Sequence, residues 1–361
     1  MREITAIAPG RTCLFGDHQD YLGLPIIACA INQHITLKAI ENNADLFQIN
    51  LPDIDQKRTI YFDDVNLALE DGDHFIAALK VLRRLNCIPN CGFNIEITGT
   101  IPINSGTSSS SALVVAWVLF LIKAFGRQTL LCPETISQIA FEAEVTEFNG
   151  PGGKMDQYSI GLGNIIYLET GKRFSYEVLK VPFSGLIMAT SGIPKETISL
   201  LRRLKTNSWK SISEVKKKMP DFKIEDAKIE DLQIYLNCIS DDLKPYLEAA
   251  MGNFNVTKKA LNEFRKESLD MVAIGSLMNQ HHHFLKNLLK ITVPKIDGMI
   301  NAAIDAGALG AKIVGSGGGG SIAVLSPKNK EKKIINAILV AGAKDAYTVA
   351  IDNGARVFEV D

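Results

Sequence analysis

The stretch PINSGTSSSSALVVAWVLFLIKAF, residues 102–125, places glycine and serine directly before a long apolar run. The run is apolar on all sides and, at about 15 residues, too short to span a bilayer, so it predicts a helix buried in a core from about Ser111. The N-terminus of a helix presents unpaired N–H groups, which suit a phosphate group. A serine-rich helix cap would explain the same residues, and the pattern GxxxxGK[ST] of a P-loop is absent.

A second glycine-rich segment is VGSGGGGSIAV, residues 314–324. Five of the six residues from 315 to 320 are glycine, which allows positive φ values and a close approach of the backbone to a ligand. The pattern predicts a strand, a glycine turn and a second strand. A flexible turn without a ligand is the alternative interpretation.

Two further segments, GDHQDY (16–21) and KMDQY (154–158), carry short acidic side chains beside glycines. Single aspartates in loops usually cap helices or form turns. In combination with the glycine-rich segments they point to phosphoryl transfer, because that reaction needs phosphate donors, metal ligands, a cation and a carboxylate that orients the acceptor.

The remaining pattern mixes helices and strands without strict βαβ alternation, which favours an α+β fold. Alternation and β-branched residues predict strands over 3–8, 34–50, 159–169, 181–193 and ARVFEV, with residues 9–25 as a loop. Helical spacing predicts helices over 74–86, 130–147, much of 193–270, 295–308 and 330–342. We expect a domain boundary near residues 170–182.

The charge balance argues against two classes of partner. The 361 residues carry a net charge of -1, so a basic footprint for nucleic acid or an anionic membrane is absent at the level of the whole chain. The N-terminus MREITAIAPGR carries no apolar h-region, and no stretch reaches the ~20 apolar residues of a membrane span. We therefore expect a cytoplasmic protein that binds small molecules, with no nucleic-acid or membrane partner. The sequence gives no indication of the oligomeric state.

Three segments together resemble a known family. APGRTCLFGDHQDYLG (8–23), PINSGTSSSSA (102–112) and KIVGSGGGGSIAV (312–324) are similar, in this order, to motifs one, two and three of the GHMP kinases. The resemblance implies a two-domain α+β fold with the active site in the cleft between the domains. It also implies ATP with Mg²⁺ as the donor and a small alcohol as the acceptor. The two domains would be residues 1–178, with motifs one and two, and residues 179–361, with motif three.

Site residues follow from the same resemblance, which is strongest to galactokinase in motif one. Arg11 would be the active-site cation and Asp156 the catalytic aspartate, while Ser110 and Glu144 would ligate Mg²⁺. Sugar hydroxyls would be bound by Asp17, His18, Asp20 and Tyr21. The nucleotide and its phosphates would be bound by Ser105, Gly106, Thr107, Ser108, Ser109, Ser110, Ser111, Gly317, Gly318 and Gly319.

Several positions depart from the galactokinase pattern. Asp17 stands in place of Glu, Cys13 in place of Asn and Thr107 in place of Leu, while GSGGGG and MNQHHHFLKN are more similar to mevalonate kinase. The resemblance implies a kinase for the anomeric hydroxyl of galactose or a related sugar. Because of these departures, mevalonate or another small alcohol is the alternative acceptor. A non-catalytic sugar and nucleotide sensor is a lesser alternative.

We assign His281–His283 to helix surface and packing, because adjacent helical residues point in different directions.

Overall fold

Two β-sheets and the helices around them make up the fold. The structure, a computed structural model, describes residues 1–102, 106–150, 152–194 and 198–360. Twelve strands occur in these ranges: β1 (Glu3–Phe15), β2 (Ile26–Asn42), β3 (Leu46–Leu51), β4 (Gln56–Tyr61), β5 (Gly92–Gly99), β6 (Ile165–Glu169), β7 (Ser175–Leu179), β8 (Leu186–Thr190), β9 (Gly310–Val314), β10 (Ser321–Leu325), β11 (Asp345–Val349) and β12 (Arg356–Val360).

The described ranges also contain ten α-helices. They are α1 (His74–Arg84), α2 (Ser109–Phe125), α3 (Pro133–Phe141), α4 (Met155–Leu162), α5 (Ile198–Lys218), α6 (Leu232–Leu236), α7 (Lys244–Phe264), α8 (Met271–His283), α9 (Pro294–Asp305) and α10 (Glu331–Val340). None of these described helices is long and apolar enough to cross a membrane.

The larger sheet has eight strands, in the order β12-β1-β2-β5-β3-β4, with β6 paired to β2 and β7 to β6. Helix α2 packs against β1 and β2. Helices α1, α3 and α4 cover its other side, which explains why α2 is apolar all round. The rings of Trp117, Phe47 and Phe120 meet at centroid distances of 5.4–6.1 Å. This packing holds the N-terminus of α2, and with it the serine-rich segment, at a fixed place beside β1.

The smaller sheet is antiparallel, in the order β11-β8-β10-β9. Helices α9 and α10 pack against it, and α8 packs against β9. The glycine turn of residues 315–320 joins β9 to β10, as the sequence predicts. The register of β10, with Ser321 opposite Val314 on one side and Thr190 on the other, fixes both ends of this turn.

The α+β class and the order of most elements agree with the sequence prediction. The chain passes from the large sheet to the small one between β7 and β8, close to the predicted division at 178/179. Strand β12 departs from a simple division, because it returns to pair with β1 in the large sheet. The division into residues 1–178 and 179–361 therefore stays a prediction.

Three predicted element boundaries are wrong. Residues 34–50, predicted as one strand, hold the end of β2 and most of β3, with a break at 43–45. Strand β1 continues through residues 9–15, which the sequence assigns to a loop, because they pair with β2 as far as Phe15. Residues 159–162, assigned to a strand, form the last turn of α4, where the Ser159 hydroxyl donates to the Met155 carbonyl. Short apolar runs of this kind fit a buried strand or a helix equally well, and tertiary contacts decide between them.

Candidate active site

The three sequence motifs meet at one place in the fold. The Arg11 amide donates to the Thr107 carbonyl at 3.2 Å. Gly106 lies against the end of β9, where a Cβ on residue 106 would come within 3.1 Å of the Val314 carbonyl oxygen. Gly106 and Gly315 both have positive φ values, so glycine allows the two turns to touch. Motifs one, two and three therefore form a continuous wall.

A cavity of about 330 Å³ opens beside this wall. The predicted site residues that line it are Arg11, Asp17, His18, Asp20, Tyr21, Gly106, Ser110, Ser111, Glu144 and Asp156. Thr107, Ser108 and Ser109 lie next to this lining, and Gly317, Gly318 and Gly319 follow the lining residues Gly315 and Ser316. Ser105 lies outside the described residues.

Asp156 stands at the start of α4, in the first turn of the helix. The Arg11 Nε donates to Asp156 Oδ1 at 2.8 Å, and the Ser108 hydroxyl donates to Asp156 Oδ2 at 2.6 Å. Arg11 is 4 % exposed and also donates from Nη1 to the Gly106 carbonyl at 2.6 Å. The pKa of Arg11 is raised: burial opposes the charge, but the Asp156 carboxylate outweighs burial. The pair is therefore charged and held in one orientation.

Glu144 lies in the turn of π-helix that follows α3. Its Oε1 accepts from the Ser111 hydroxyl at 2.9 Å and its Oε2 from the Gln157 amide at 2.6 Å. The pKa of Glu144 is raised by burial and by the nearby Asp156 charge, while hydrogen bonds from Gln157, Ser111 and Ser110 lower it. A neighbouring cation stabilises the ionised form of a buried carboxylate whose pKa is raised in this way.

This arrangement fits Mg²⁺ better than a metal held by protein alone. Among the described residues, no group of three or more His, Cys, Asp or Glu side chains could hold a metal ion. Mg²⁺ is commonly held by one or two carboxylates together with substrate phosphates and water. Glu144 and the exposed hydroxyl-bearing Ser110 supply such a partial set of oxygen ligands.

Asp17 is bound by protein groups on both carboxylate oxygens. Lys312 on β9 donates from Nζ to Oδ2 at 2.6 Å, and the Gly315 amide donates to Oδ1 at 3.0 Å. Burial would raise the pKa of Asp17, but the Lys312 charge and these hydrogen bonds bring it down to about 2. Binding of a sugar hydroxyl by Asp17 stays a prediction, and such a bond would add to an existing ion pair.

His18 and Asp20 of motif one also line the cavity. His18 has a φ of 64°, its Nδ1 lies 3.3 Å from the Tyr21 hydroxyl, and its buried Nε2 has no hydrogen-bond partner among the described residues. Burial lowers the pKa of His18 to about 4, so the ring is neutral at pH 7. Burial and the Asp156 charge raise the pKa of Asp20 to about 6.

The glycines of motif three pack against the backbone near Ile193 and Ile291. The Gly318 amide donates to the Ile291 carbonyl at 2.8 Å and the Gly320 amide to the Ile193 carbonyl at 2.9 Å. A Cβ on Gly317 would lie 2.6 Å from the Ile291 Cβ. Phosphate binding by Gly317, Gly318 and Gly319 stays a prediction, and the structure gives these residues a packing role.

Four residues that the sequence argument did not single out contribute to the site. Lys312 neutralises Asp17, Gln157 holds Glu144, Ser316 lines the cavity, and His281 lies with Nδ1 4.0 Å from Asp17 Oδ2. Ser316 lies within VGSGGGGSIAV (314–324) and Gln157 within KMDQY (154–158), and this position inside the motifs is the signal that points to them. The assignment of the three histidines to helix surface and packing agrees with the structure, in which His283 is exposed while His281 and His282 are buried.

Known families match three parts of the chain. Residues 73–164 match the GHMP kinases N terminal domain, and residues 258–343 match GHMP kinases C terminal. Residues 2–39 match the galactokinase galactose-binding signature, which includes all of motif one.

Relatives with two different names align along nearly the whole chain. A mevalonate kinase of Thermococcus onnurineus is 27% identical over 366 residues, which cover 99% of each protein. A galactokinase of Haemophilus influenzae is also 27% identical, over 381 residues that cover 98% of this chain and 95% of the relative.

Solved structures of both kinds share the fold. Lactococcus lactis galactokinase complexed with galactose superposes with a TM-score of 0.87 at 20% identity, covering 98% of this chain and 95% of that one. Methanococcus jannaschii mevalonate kinase gives a TM-score of 0.73 at 20% identity, covering 96% and 98%. GHMP kinases are phosphotransferases with alcohol acceptors that use ATP, generally with Mg²⁺. With its motifs, its family matches and its fold in agreement, this chain belongs to the GHMP kinase family.

Proposed function

We propose that the chain is a sugar kinase, which transfers the γ-phosphoryl group of ATP to the anomeric hydroxyl of galactose or a closely related monosaccharide. The observation that carries the proposal is the charge of the cavity. Four carboxylates line it: Asp17, Asp20, Glu144 and Asp156. Arg11 is the one lysine or arginine among its described lining residues, and it is paired with Asp156.

Such a lining suits a neutral polyol better than an acceptor with a carboxylate. Carboxylate and imidazole groups hydrogen-bond sugar hydroxyls. An anionic acceptor would instead meet the carboxylates of Asp20 and Glu144, which form no ion pair with a lysine or arginine among the described residues, and Arg11 is already paired with Asp156. His18 offers no positive charge at pH 7, because burial holds its pKa near 4. The unpartnered Nε2 of His18 and Oγ of Ser316 are further hydrogen-bonding groups for a polyol.

In the transfer itself, the acceptor oxygen forms a bond to the γ-phosphorus while the bond from that phosphorus to the β–γ bridging oxygen breaks, and ADP leaves. Asp156 orients the acceptor hydroxyl and takes its proton as the new bond forms. Arg11 stabilises the carboxylate of Asp156 and the negative charge that develops on the transferred group. Ser108 fixes the second oxygen of Asp156.

Mg²⁺, when bound, would neutralise charge on the transferring phosphates, with Ser110 and Glu144 as its protein ligands. Ser111 and Gln157 hold Glu144 in place for that role. The N-terminus of α2 supports binding of the ATP phosphates, because its first amides carry no bonds within the helix.

The comparisons support this choice of acceptor in one respect and oppose it in another. The galactose-binding signature covers motif one, where the polar wall of the cavity lies. Six mevalonate kinases, however, are 25–28% identical over 98% or more of both chains. Mevalonate is therefore the second candidate acceptor, and the acidic lining is the observation against it.

The catalytic assignment is tested by Asp156→Asn, which keeps the size of the side chain and removes the base. We expect turnover in a coupled ADP-release assay to fall by about 10³-fold, while binding of ATP, followed by calorimetry, stays within about two-fold. Turnover close to that of the unmodified protein would contradict the role of Asp156. The same assay across galactose, related sugars, uronic acids and mevalonate tests the acceptor.

A further inference from the structure

The loop that precedes the catalytic helix is held from the side opposite the cavity. Lys154 is the residue before α4, and its ammonium group lies over three aromatic rings, at 4.3 Å from the ring centre of Phe174, 5.4 Å from Phe141 and 5.6 Å from Tyr158. Its Nζ also donates to Gln138 Oε1 at 3.1 Å. We refer to Phe141, Tyr158, Phe174 and Gln138 as the lysine cage.

The lysine cage joins three separate elements. Phe141 and Gln138 belong to α3, Tyr158 to α4, and Phe174 to the segment between β6 and β7. The Tyr158 hydroxyl donates to the same Gln138 oxygen as the lysine, at 2.9 Å, and the Tyr158 and Phe174 rings lie 4.5 Å apart. Gln138 is in turn fixed by a bond from its amide to Glu142 at 2.8 Å. The cage is therefore assembled around the ammonium group and is not a chance contact.

The geometry of a helix start connects this cage to Asp156. Residues two apart in a helix point about 200° from one another, so Lys154 and Asp156 face nearly opposite sides. The Lys154 carbonyl accepts the first helical bond of α4, from the Tyr158 amide at 3.2 Å. Glycines 152 and 153, on the other side of Lys154, give the loop little stiffness of its own.

We propose that Lys154 is a positioning residue for catalysis: the lysine cage fixes the first turn of α4 and thereby holds the Asp156 carboxylate at the distance from Arg11 and the acceptor that transfer requires. The ammonium group supplies this hold, because it is attracted to the faces of three rings that belong to separate elements. This inference rests on the proposed role of Asp156. Lys154 is not itself a lining residue of the cavity, although its chain neighbours Gly153 and Met155 are.

The test compares Lys154→Met with Lys154→Arg. Loss of the cation is expected to lower kcat by about 10- to 100-fold, since small displacements of a catalytic group have effects of this size, with KM for ATP and for the sugar within about two-fold. Arginine, which also binds aromatic faces, is expected to recover most of kcat. Phe174→Leu, which removes the nearest ring, is expected to give a smaller loss of kcat with the same unchanged KM values.

Lys258→Met is the matched control, because Lys258 lies 4.1 Å from the ring centre of Phe254 on α7, outside the cavity lining. Its kcat is expected to equal that of the unmodified protein. A kcat within two-fold of normal in both Lys154→Met and Phe174→Leu, with Asp156→Asn inactive, would overturn the positioning role while leaving the proposed function intact. An active Asp156→Asn would instead overturn the proposed catalytic role of Asp156, on which this inference rests. If Lys154→Met does not fold, Phe174→Leu still decides: a lowered kcat with unchanged KM values supports the positioning role, and a kcat within two-fold of normal overturns it.

Discussion

Asp20 gives the proposed acceptor site a pH dependence that can be measured. Its pKa of about 6, raised by burial and by Asp156, leaves it ionised at pH 7.5 and protonated at pH 5. The ionised carboxylate accepts more hydrogen bonds, so we expect KM for the sugar to rise as pH falls through 6. In Asp20→Asn this dependence is expected to disappear and KM to stay high. Initial rates measured from pH 5 to 8 check both, and an Asp20→Asn profile like that of the unmodified protein would contradict the assignment.

A single glycine keeps room for that carboxylate. A Cβ on residue 153 would lie 2.0 Å from Asp20 Oδ2, so Gly153→Ala must displace Asp20 or the loop. We expect KM for the sugar to rise by about 10-fold or more. Gly298→Ala is the control, because a Cβ there meets no atom within 4 Å on α9, and alanine favours the helix. Equal kinetics in the two variants would show that Gly153 has no such role.

At the scale of elements, the sequence assigns the proposed catalytic roles to Arg11 and Asp156 but does not predict the side chains that support them. Arg11 and Asp156 lie 145 positions apart, yet motif resemblance assigns roles to both, and the structure brings them to 2.8 Å. The end of β1 was not predicted, because pairing with β2 extends a strand through glycine- and cysteine-containing residues that favour a loop locally. The lysine cage was not predicted either, since its rings come from three elements and no local pattern links them.

On the scale of the whole molecule, one buried ion pair ties motif one to the small sheet. Lys312 is fully buried and bonds both Asp17 and the Cys13 carbonyl, across 295 and 299 positions of sequence. A lysine within an apolar strand pattern gives no sign of a distant partner, and so the sequence could not predict this contact. Removing one member of a buried pair leaves the other charge unpaired at a cost of about 3–5 kcal/mol.

We therefore expect Asp17→Asn and Lys312→Met each to lower the free energy of unfolding, measured by urea denaturation, by about 3–5 kcal/mol. The double variant is expected to lose less than the sum of the single losses, because no unpaired charge remains. Losses that simply add would contradict the coupling.

Acid titration provides an independent check of the same pair. The pKa of Asp17 in the folded protein is about 2, below its ordinary value of 3.8, so its contribution to stability is complete above pH 3.8 and lost as pH falls towards 2. In Asp17→Asn this part of the pH dependence of unfolding is expected to vanish. Asp20 has the opposite sign, since its raised pKa makes folding cost more as pH rises from about 4 to about 6.

The central claim, that the acidic cavity selects a neutral sugar, is tested most directly by competition. Galactose and mevalonate are supplied together in equal amounts with limiting ATP and Mg²⁺, and the products are identified by phosphorus NMR. The acidic lining around Asp17, Asp20 and Asp156 predicts that the phosphoryl group appears on the anomeric oxygen of the sugar. Accumulation of phosphomevalonate with no sugar phosphate would contradict the claim.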